Sequence, residues 1–409
     1  MIKRITLENF FSFSEATTIE LNPGVNILVG INGSGKSNFL KAIRFLYESI
    51  SGQGMEKLFL KEWGGFNTVA NFNESKADTI KLIYEFDAKD INRGINNQTF
   101  KFSGKIVYEI TIHKSGVSSY YLEEKLYKKL PQTNTQIFHY ISIKNGKGNI
   151  LTSNADGTNG REHYPQEKGG VSFKEQELVL RQIADPNRFL TLHILKLAID
   201  SLAGYDYFDT TPDSKIRQKG FDGIESRLLP SGENLVQLLN RIKNHHSLDY
   251  EEIESKLNKV NPNFKDIGFE LFGNNFYFTL REKKLAKTVG IGQISDGTLR
   301  FLLLLSIFIN PERGNLVCID EPETGLHPDM INTIAEIIKK ASATSQLIIA
   351  THSPQLLNSF EIDDILIFEK DDNNKTIVAR KTEDDFEHWS DDFLVGQLWL
   401  RGKIGGKRW

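Results

Sequence analysis

The sequence predicts an α/β fold in which helices flank a mixed sheet, and three observations lead to that prediction. The apolar run Val25–Val29 precedes a glycine-rich loop at 30–37 and then a helical pattern. A second apolar run, at 316–319, ends in two carboxylates, and a third, at 347–350, ends beside a histidine. Short apolar runs that end in polar residues are typical of parallel strands whose carboxyl ends lie at one edge of a sheet.

The loop from Gly30 to Ser37 reads GINGSGKS and is a complete phosphate-binding motif. Gly33 and Gly35 allow backbone conformations in which successive N–H groups point at an anion, and the helix beginning near Lys36 adds its positive end. Lys36 would reach the β and γ phosphates of a nucleoside triphosphate, and the Ser37 hydroxyl would be one ligand of Mg²⁺. An ordinary glycine-rich turn is the less specific alternative. We therefore predict that ATP and Mg²⁺ bind at Asn32, Gly33, Ser34, Gly35, Lys36, Ser37 and Asn38.

The composition excludes several classes of protein. The chain has 409 residues and a net charge of −3, so it has ample core for one large domain or two, and a surface coated with basic residues is not expected. Cys318 is the single cysteine, which fits a reducing compartment. The most apolar stretch, Phe301–Ile309, is too short to span a bilayer, and no signal peptide is expected before Ile2. We therefore expect a cytoplasmic protein without a membrane segment.

Periodicity along the chain predicts further elements. Strands are predicted at 1–7, 17–21, 25–29, 80–86, 105–113, 118–127, 137–144, 267–271, 275–280 and 286–290. Helices are predicted at 36–51, 173–183, 188–202, 233–244, 249–260 and 301–309. Residues 146–170 are rich in Gly, Asn and charge and are predicted to form a mobile loop. The region from 79 onward therefore reads as antiparallel β structure followed by helices.

The second apolar run carries the residues that suit phosphoryl transfer. Asp320, at the end of the strand, is placed to hold the magnesium through water, and Glu321 can polarise an attacking water molecule. A pair of solvated carboxylates is the plainer alternative. The third run ends at His352, which we predict to sense the γ phosphate. Two roles stay open for His327, which could make a contact at a subunit junction or be a plain loop residue. ATP hydrolysis is the expected reaction.

Residues 294–305 read ISDGTLRFLLLL, a polar turn that leads into an apolar helix. With this turn placed between the loop and the carboxylates, the order of motifs resembles that of the ATP-binding-cassette (ABC) ATPases, and specifically their SMC- and RecF-like branch. The opening LENFFSFSEATTIELNPGVNILVGINGSGKSNFLKAI is similar to that branch along its length. DEPETGLHP, ATHSPQLL and the C-terminal GQLWLRGKIGGKRW are similar to compact ATPases of bacterial antiphage defence operons.

The resemblance implies an ABC-type P-loop ATPase head with a large inserted α+β lobe. The head would comprise 1–78 and 285–409, and the lobe 79–284. Ser295 and Gly297 would contact the γ phosphate bound to a second subunit, so two chains would form a homodimer, with the option of a higher oligomer. The resemblance also places three residues at the dimer seam, namely Thr324, Gly325 and His327.

The chain departs from the branch at two points. Phe11 stands where the branch often has an arginine after the Asn-Phe pair, so any phosphate contact of that arginine is in doubt. The glutamine that usually senses magnesium is not identified, and Asn71 and Asn73 are weak candidates for its role.

Two functions remain open at this stage. The leading one is an ATPase whose ATP-dependent dimerisation controls a partner nuclease, TOPRIM-like or similar, in antiphage defence, with DNA or RNA binding in the lobe. The alternative is a housekeeping DNA-repair ATPase that binds ends or gaps. A transporter subunit and a self-contained nuclease are disfavoured. Five lysines of the lobe could contact phosphate, but we favour a solvated charged face for them: Lys125, Lys128, Lys129, Lys144 and Lys147.

Overall fold

The computed structural model describes residues 1–72, 78–93, 100–116, 119–129, 137–153, 159–166, 172–218, 220–221, 224–272, 275–382, 385 and 393–405. The strands are β1 (Ile2–Glu8), β2 (Thr17–Glu20), β3 (Val25–Val29), β4 (Thr79–Asp87), β5 (Lys105–Ser115), β6 (Ser119–Lys129), β7 (Ile137–Lys144), β8 (Lys147–Ser153), β9 (Asn159–Tyr164), β10 (Leu202–Tyr205), β11 (Gly220–Phe221), β12 (Phe264–Phe272), β13 (Asn275–Glu282), β14 (Val289–Gly290), β15 (Leu316–Asp320), β16 (Gln346–Ala350), β17 (Ile365–Lys370) and β18 (Thr376–Arg380).

The α-helices are α1 (Lys36–Ile50), α2 (Phe66–Val69), α3 (Ala88–Ile91), α4 (Val179–Gln182), α5 (Leu190–Asp200), α6 (Leu235–His245), α7 (Ser247–Val260), α8 (Asp296–Phe308), α9 (Pro328–Ser342), α10 (Pro354–Leu357) and α11 (Val395–Leu400). The chain forms two compact units. Unit 1 comprises Met1–Pro23, Gly30–Leu202 and Phe368–Ala379, and unit 2 comprises Gly24–Val29, Ala203–Ile367 and Arg380–Trp409.

Unit 1 is built on an eight-stranded sheet with the order β2, β1, β4, β5, β6, β7, β8, β9. Its neighbouring strands are antiparallel, and Tyr84, Tyr108 and Leu126 face one another across β4, β5 and β6. Buried and more exposed residues alternate along β4 and β5, as expected for a sheet with one covered face. The Tyr84 hydroxyl donates a hydrogen bond of 2.7 Å to the carbonyl of Ala42, so α1 packs against the covered face.

Unit 2 contains a largely parallel sheet with the order β10, β15, β16, β3, β17. All five residues of β3 and of β16 are buried, which is typical of parallel strands covered on both faces. In the register of the sheet, Asp320 pairs with Ala350 and Ala350 pairs with Leu28. The carboxyl ends of β15, β16 and β3 therefore lie at one edge, as predicted.

The core of unit 2 surrounds α8. Residues 301–308 of this helix are all buried, and a helix that is apolar all round must be covered on every side. The helices α6, α7 and α9 and the parallel strands contribute to the same apolar cluster. A small antiparallel sheet of β11, β13, β12 and β14 completes the unit. The predicted buried helix at 301–309 is thus confirmed, although it begins earlier, at Asp296.

Two predicted elements are wrong. The predicted loop at 146–170 contains the paired strands β8 and β9, while 154–158 and 167–170 lie outside the described residues. The predicted helix at 173–183 is reduced to α4, because the Gln182 side chain bonds the Lys174 N–H at 2.8 Å and the Glu177 carbonyl at 2.7 Å. These contacts fold the preceding residues into a loop.

The two units do not coincide with the predicted segments 1–78, 79–284 and 285–409. The strands from β4 to β9 continue the sheet that β1 and β2 begin, because β1 pairs with β4 over Ile2–Glu8. The helices α6 and α7 contribute instead to the core of unit 2. The inserted lobe at 79–284 therefore stays a prediction, and the compact units are divided differently.

Candidate nucleotide site

The phosphate-binding loop belongs to unit 1. Gly33 has a φ of 78° and Gly35 a φ of 111°, in the left-handed region that favours glycine. Lys36, the first residue of α1, is buried, and its Nζ donates hydrogen bonds of 2.8 Å to the Gly30 carbonyl and 3.3 Å to the Ile31 carbonyl. The ammonium group therefore folds back over the loop at the positive end of a 15-residue helix. Phosphate oxygens are the ligands that suit such a cradle.

Polar side chains from distant parts of unit 1 support this loop. The Thr376 hydroxyl donates to the Ser34 carbonyl at 2.8 Å and lies 2.7 Å from the Ser12 hydroxyl. The Asn38 amide donates to the same Ser12 hydroxyl at 2.8 Å. A Cβ on Gly35 would collide with the Thr376 hydroxyl, so this position has no room for a side chain. Sequence reasoning missed Ser12 and Thr376.

The loop residues differ in exposure. Asn32, Gly33 and Ser37 are exposed, whereas Ser34 and Gly35 are buried. The Ser37 hydroxyl stands in the first turn of α1, where the sequence predicts a magnesium ligand. The exposed members can reach a ligand, and the buried members fix the backbone that presents them.

The carboxylates belong to unit 2, at the end of β15. Glu321 has a φ of 47°, which is uncommon for a residue with a side chain and is found at functional sites. Its N–H donates to the Ala350 carbonyl at 2.8 Å, which fixes the turn after β15 to β16. Its carboxylate accepts a hydrogen bond of 3.1 Å from the Thr324 hydroxyl and lies 3.7 Å from His352 Nε2. The structure therefore brings the predicted base and the predicted sensor together.

Glu323 holds the residues around His352 in place. One of its carboxylate oxygens accepts hydrogen bonds of 2.6 Å from the Thr351 hydroxyl and 3.0 Å from the His352 N–H. Burial raises the pKa of the Glu323 carboxyl, although these hydrogen bonds act in the opposite direction. The Thr351 N–H also donates to the Leu28 carbonyl of β3 at 3.1 Å. Sequence reasoning did not single out Glu323.

The polar turn before α8 is also in unit 2. Ser295 is exposed and caps α8, and its hydroxyl accepts from the Thr298 N–H at 3.3 Å. A Cβ on Gly297 would lie 3.2 Å from the Gly325 carbonyl, so the turn passes close to the loop that follows the carboxylates. The Arg217 side chain lies beneath the turn and bonds Asp296 at 2.5 Å.

Arg300 of α8 ties the same two regions together. Its guanidinium donates 2.9 Å to the Thr324 carbonyl and 2.6 Å to the Tyr207 hydroxyl. It also lies 4.6 Å from the centroid of the Tyr207 ring. Gly325 has a φ of 78°, and a Cβ there would lie 2.8 Å from the guanidinium. A cavity beside these groups is lined by Asp206, Tyr207, Phe208, Arg300, Leu304, Ile319, Asp320, Glu321, Pro322 and Thr324.

The remaining sequence candidates are His327, Asn71 and Asn73. His327 caps α9, because its Nδ1 accepts from the Asp329 N–H at 3.3 Å. Asn71 is buried and donates to the Phe11 carbonyl at 2.7 Å, while Asn73 lies outside the described residues. Lys41 lies 4.4 Å from the Phe11 ring centroid, so a cation lies beside the residue that stands where the SMC- and RecF-like branch often has an arginine.

Over the part of the chain that the structure describes, no group of three or more His, Cys, Asp or Glu side chains could by itself hold a metal ion. Nor does any helix in that part have the length and apolar character needed to cross a bilayer. A metal that is bound largely by water and by substrate phosphates does not need such a group.

Parallel strands that present carboxylates and a histidine at one edge, together with a phosphate-binding loop, define the class of P-loop ATPases. Residues 1–182 match the family model described as "AAA ATPase domain". Residues 178–358 match the model described as "AAA domain, putative AbiEii toxin, Type IV TA system". The two matches meet near α4 and together extend from the first strand to α10.

Individual proteins agree with this class. The chain is 23% identical over 401 residues to the ATP/GTP phosphatase of Helicobacter pylori, covering 94% of this chain and 93% of that protein. It is 21% identical over 404 residues to the "Retron Ec83 probable ATPase" of Escherichia coli, covering 88% and 70%. Among solved structures, the SMC head bound to the C-winged helix domain of ScpA superposes with a TM-score of 0.56 at 15% identity, covering 94% of this chain and 98% of that chain. The chain therefore has the fold of an SMC head, and its sequence is similar to AAA ATPase domains, which supports ATP hydrolysis.

Proposed function

We propose that ATP drives two copies of this chain into a homodimer, and that this assembly controls a nucleic-acid-directed effector in antiphage defence. The observation that carries the hydrolytic part of the proposal is the 3.7 Å approach of His352 Nε2 to the Glu321 carboxylate, at the strand edge level with the end of β3. A carboxylate in this setting can accept a proton from water while the imidazole responds to the γ phosphate.

The roles of the other groups follow from their chemistry. Lys36 binds the β and γ phosphates in place of the two loop carbonyls that it now contacts. Gly30, which opens the loop, directly follows Val29, the last residue of β3. The hydroxyl of Ser37 and the carboxylate of Asp320 are hard oxygen donors and suit Mg²⁺, which would neutralise phosphate charge when bound.

The composite site rests on the turn before α8. Ser295 is exposed, and its hydroxyl caps the helix, so the positive end of α8 is turned toward solvent. In the SMC- and RecF-like ABC ATPases that the sequence resembles, the anion at this position is the γ phosphate held by a second copy. The seam of the dimer would include the loop at 324–327, which lies close to Gly297 through the Gly325 carbonyl.

Control of an effector is supported by the relative named as a retron ATPase. Direct binding of nucleic acid by the lysines of the lobe receives little support, because Lys125 and Lys144 both form ion pairs with Glu123, at 2.7 and 3.0 Å. Lys128 donates to the Ser103 hydroxyl at 3.1 Å. A partner nuclease, rather than this chain, would then act on DNA or RNA. The repair alternative requires tight ATP-dependent binding of DNA ends by the purified chain.

The test of the ATPase proposal is Glu321→Gln. This variant keeps the shape of the side chain and removes the base, so it should retain ATP and accumulate as a dimer, with turnover at least about a hundredfold lower. Light scattering after gel filtration with ATP measures the dimer, and phosphate release measures turnover. Wild-type turnover by Glu321→Gln would remove Glu321 as the base.

The test of the defence proposal is phage challenge of cells that carry the gene with its neighbouring genes. Protection should disappear with Glu321→Gln and with loss of an adjacent nuclease gene. DNA-damage sensitivity without any change in phage plating would favour repair and contradict defence.

A further inference from the structure

The guanidinium of Arg217 makes an unusual number of bonds to one short turn. It donates to the carbonyls of Ile291 at 3.0 Å and Ile294 at 2.8 Å, and to the Asp296 carboxylate at 2.5 Å. A further bond of 2.8 Å to the Thr210 carbonyl fixes the other edge of the group. The planar guanidinium thus uses its donors in several directions at once, which a lysine ammonium cannot do in the same geometry.

The two partners of the ion pair differ in exposure. The Arg217 side chain is 5% exposed and the Asp296 side chain is 65% exposed. The arginine therefore lies beneath the turn, while the turn faces outward. Ser295 stands between Ile294 and Asp296, both of which Arg217 holds, so the orientation of the Ser295 hydroxyl depends on this side chain.

We propose that Arg217 is a positioning residue that holds Ser295 and Gly297 ready for the nucleotide of a second copy of the chain. This inference rests on the proposed composite site. Arg217 itself does not touch ATP, and its action passes through the turn. Its loss therefore damages the site in which the other copy supplies the phosphate-binding loop, and leaves the loop of its own copy intact.

That direction of action separates positioning from general stability. A residue that merely stabilises unit 2 would damage both roles of that unit, namely the carboxylates that serve the ATP of its own chain and the turn that it offers to its partner. A residue that positions the turn damages the second role alone. Mixing two inactive variants distinguishes these cases, because a mixed dimer can rebuild one intact site.

The experiment measures ATP affinity and phosphate release. Arg217→Ala alone should bind ATP with a Kd within about twofold of wild type, while kcat falls at least about tenfold. Lys36→Ala should fail to bind ATP. An equal mixture of the two should recover roughly a quarter of the wild-type rate, because half of the dimers are mixed and each has one intact site. Arg217→Lys should resemble Arg217→Ala, since one ammonium cannot span both carbonyls and the carboxylate.

Ser295→Arg mixed with Lys36→Ala is the matched control. Recovery with Ser295→Arg but not with Arg217→Ala overturns the positioning role and leaves the composite site standing. Failure of both mixtures counts against the composite site itself. If Arg217→Ala loses ATP binding, Asp296→Ala is mixed with Lys36→Ala in its place, because this variant removes only the exposed partner of the ion pair. If that mixture recovers no phosphate release while the Ser295→Arg mixture does, the proposal is also overturned.

Discussion

Glu124 makes the stability of unit 1 depend on pH in a direction opposite to that of most carboxylates. It lies on the covered face of β6, is 2% exposed, and accepts hydrogen bonds from the Tyr108 hydroxyl at 2.6 Å and the Val179 N–H at 2.9 Å. Burial raises the pKa of Glu124 from 4.5 to about 7, against the effect of these two donors. The carboxyl is therefore favoured in its neutral form in the folded chain.

The magnitude follows from that pKa. A tenfold change in proton affinity is worth about 1.4 kcal/mol, so a rise from 4.5 to about 7 corresponds to roughly 3 kcal/mol. Because the folded-state pKa is the higher one, this stabilisation is fully present below pH 4.5 and is lost as the pH rises through about 7. Relative to the wild type, Glu124→Gln should gain roughly 3 kcal/mol in free energy of unfolding between pH 4.5 and pH 8.

Urea unfolding at a series of pH values, followed by tryptophan fluorescence, measures the difference between the two proteins. Glu20→Gln is the matched control, because Glu20 is an exposed carboxylate on β2 of the same sheet, with 68% of its side chain accessible. Its curve should run parallel to that of the wild type from pH 5 to pH 8. A constant difference between Glu124→Gln and the wild type over that range would refute the reasoning about Glu124.

Two further predictions concern the nucleotide site. Gly35→Ala should weaken ATP binding at least about tenfold, because its Cβ would strike the Thr376 hydroxyl. Gly33→Ala should weaken ATP binding only a few-fold, because no atom lies within 4 Å of a Cβ at that position, and equal Kd values for the two variants would contradict this. Glu323→Ala should lower kcat about tenfold with little change in ATP affinity, because the His352 N–H loses the carboxylate that accepts its hydrogen bond. Glu323→Gln should retain most activity, and a loss confined to KM would argue against this role.

The parts of the fold that the sequence predicts well are those with a strong local pattern. The bounds of β3 and β7 were predicted to the residue, because a buried apolar run and an alternating run each end at polar turn residues. The missed hairpin of β7 and β8 also has a local signal. Asn145 and Gly146 have φ values of 52° and 71°, as a two-residue hairpin turn requires, and Asn-Gly is the usual sequence for it.

The residues that support the site could not be found in this way. Arg217 and its partner Asp296 are separated by 79 residues, and Thr376 and Ser34 by 342. An isolated arginine or threonine has no periodicity or spacing that indicates such a contact. Glu323 is closer to the motifs, yet its role depends on burial beside Thr351, which only the folded sheet reveals. The groups that would touch ATP are thus readable from motifs, and the groups that hold them are not.

Arg300 connects the turn proposed to serve the partner's nucleotide with the residue proposed to activate water. It projects from the first turns of α8 and donates to the Thr324 carbonyl at 2.9 Å, and the Thr324 hydroxyl donates to the Glu321 carboxylate at 3.1 Å. Its Nη2 donates to the Tyr207 hydroxyl at 2.6 Å, and its Nε donates to the Thr210 hydroxyl at 3.3 Å. A shift of α8 relative to the loop after β15 would break a charge-assisted bond worth about 1.5–3 kcal/mol. The proposed engagement of Ser295 by a second copy and the orientation of Glu321 would therefore depend on the same side chain, and the proposed dimerisation would have a physical means to gate hydrolysis.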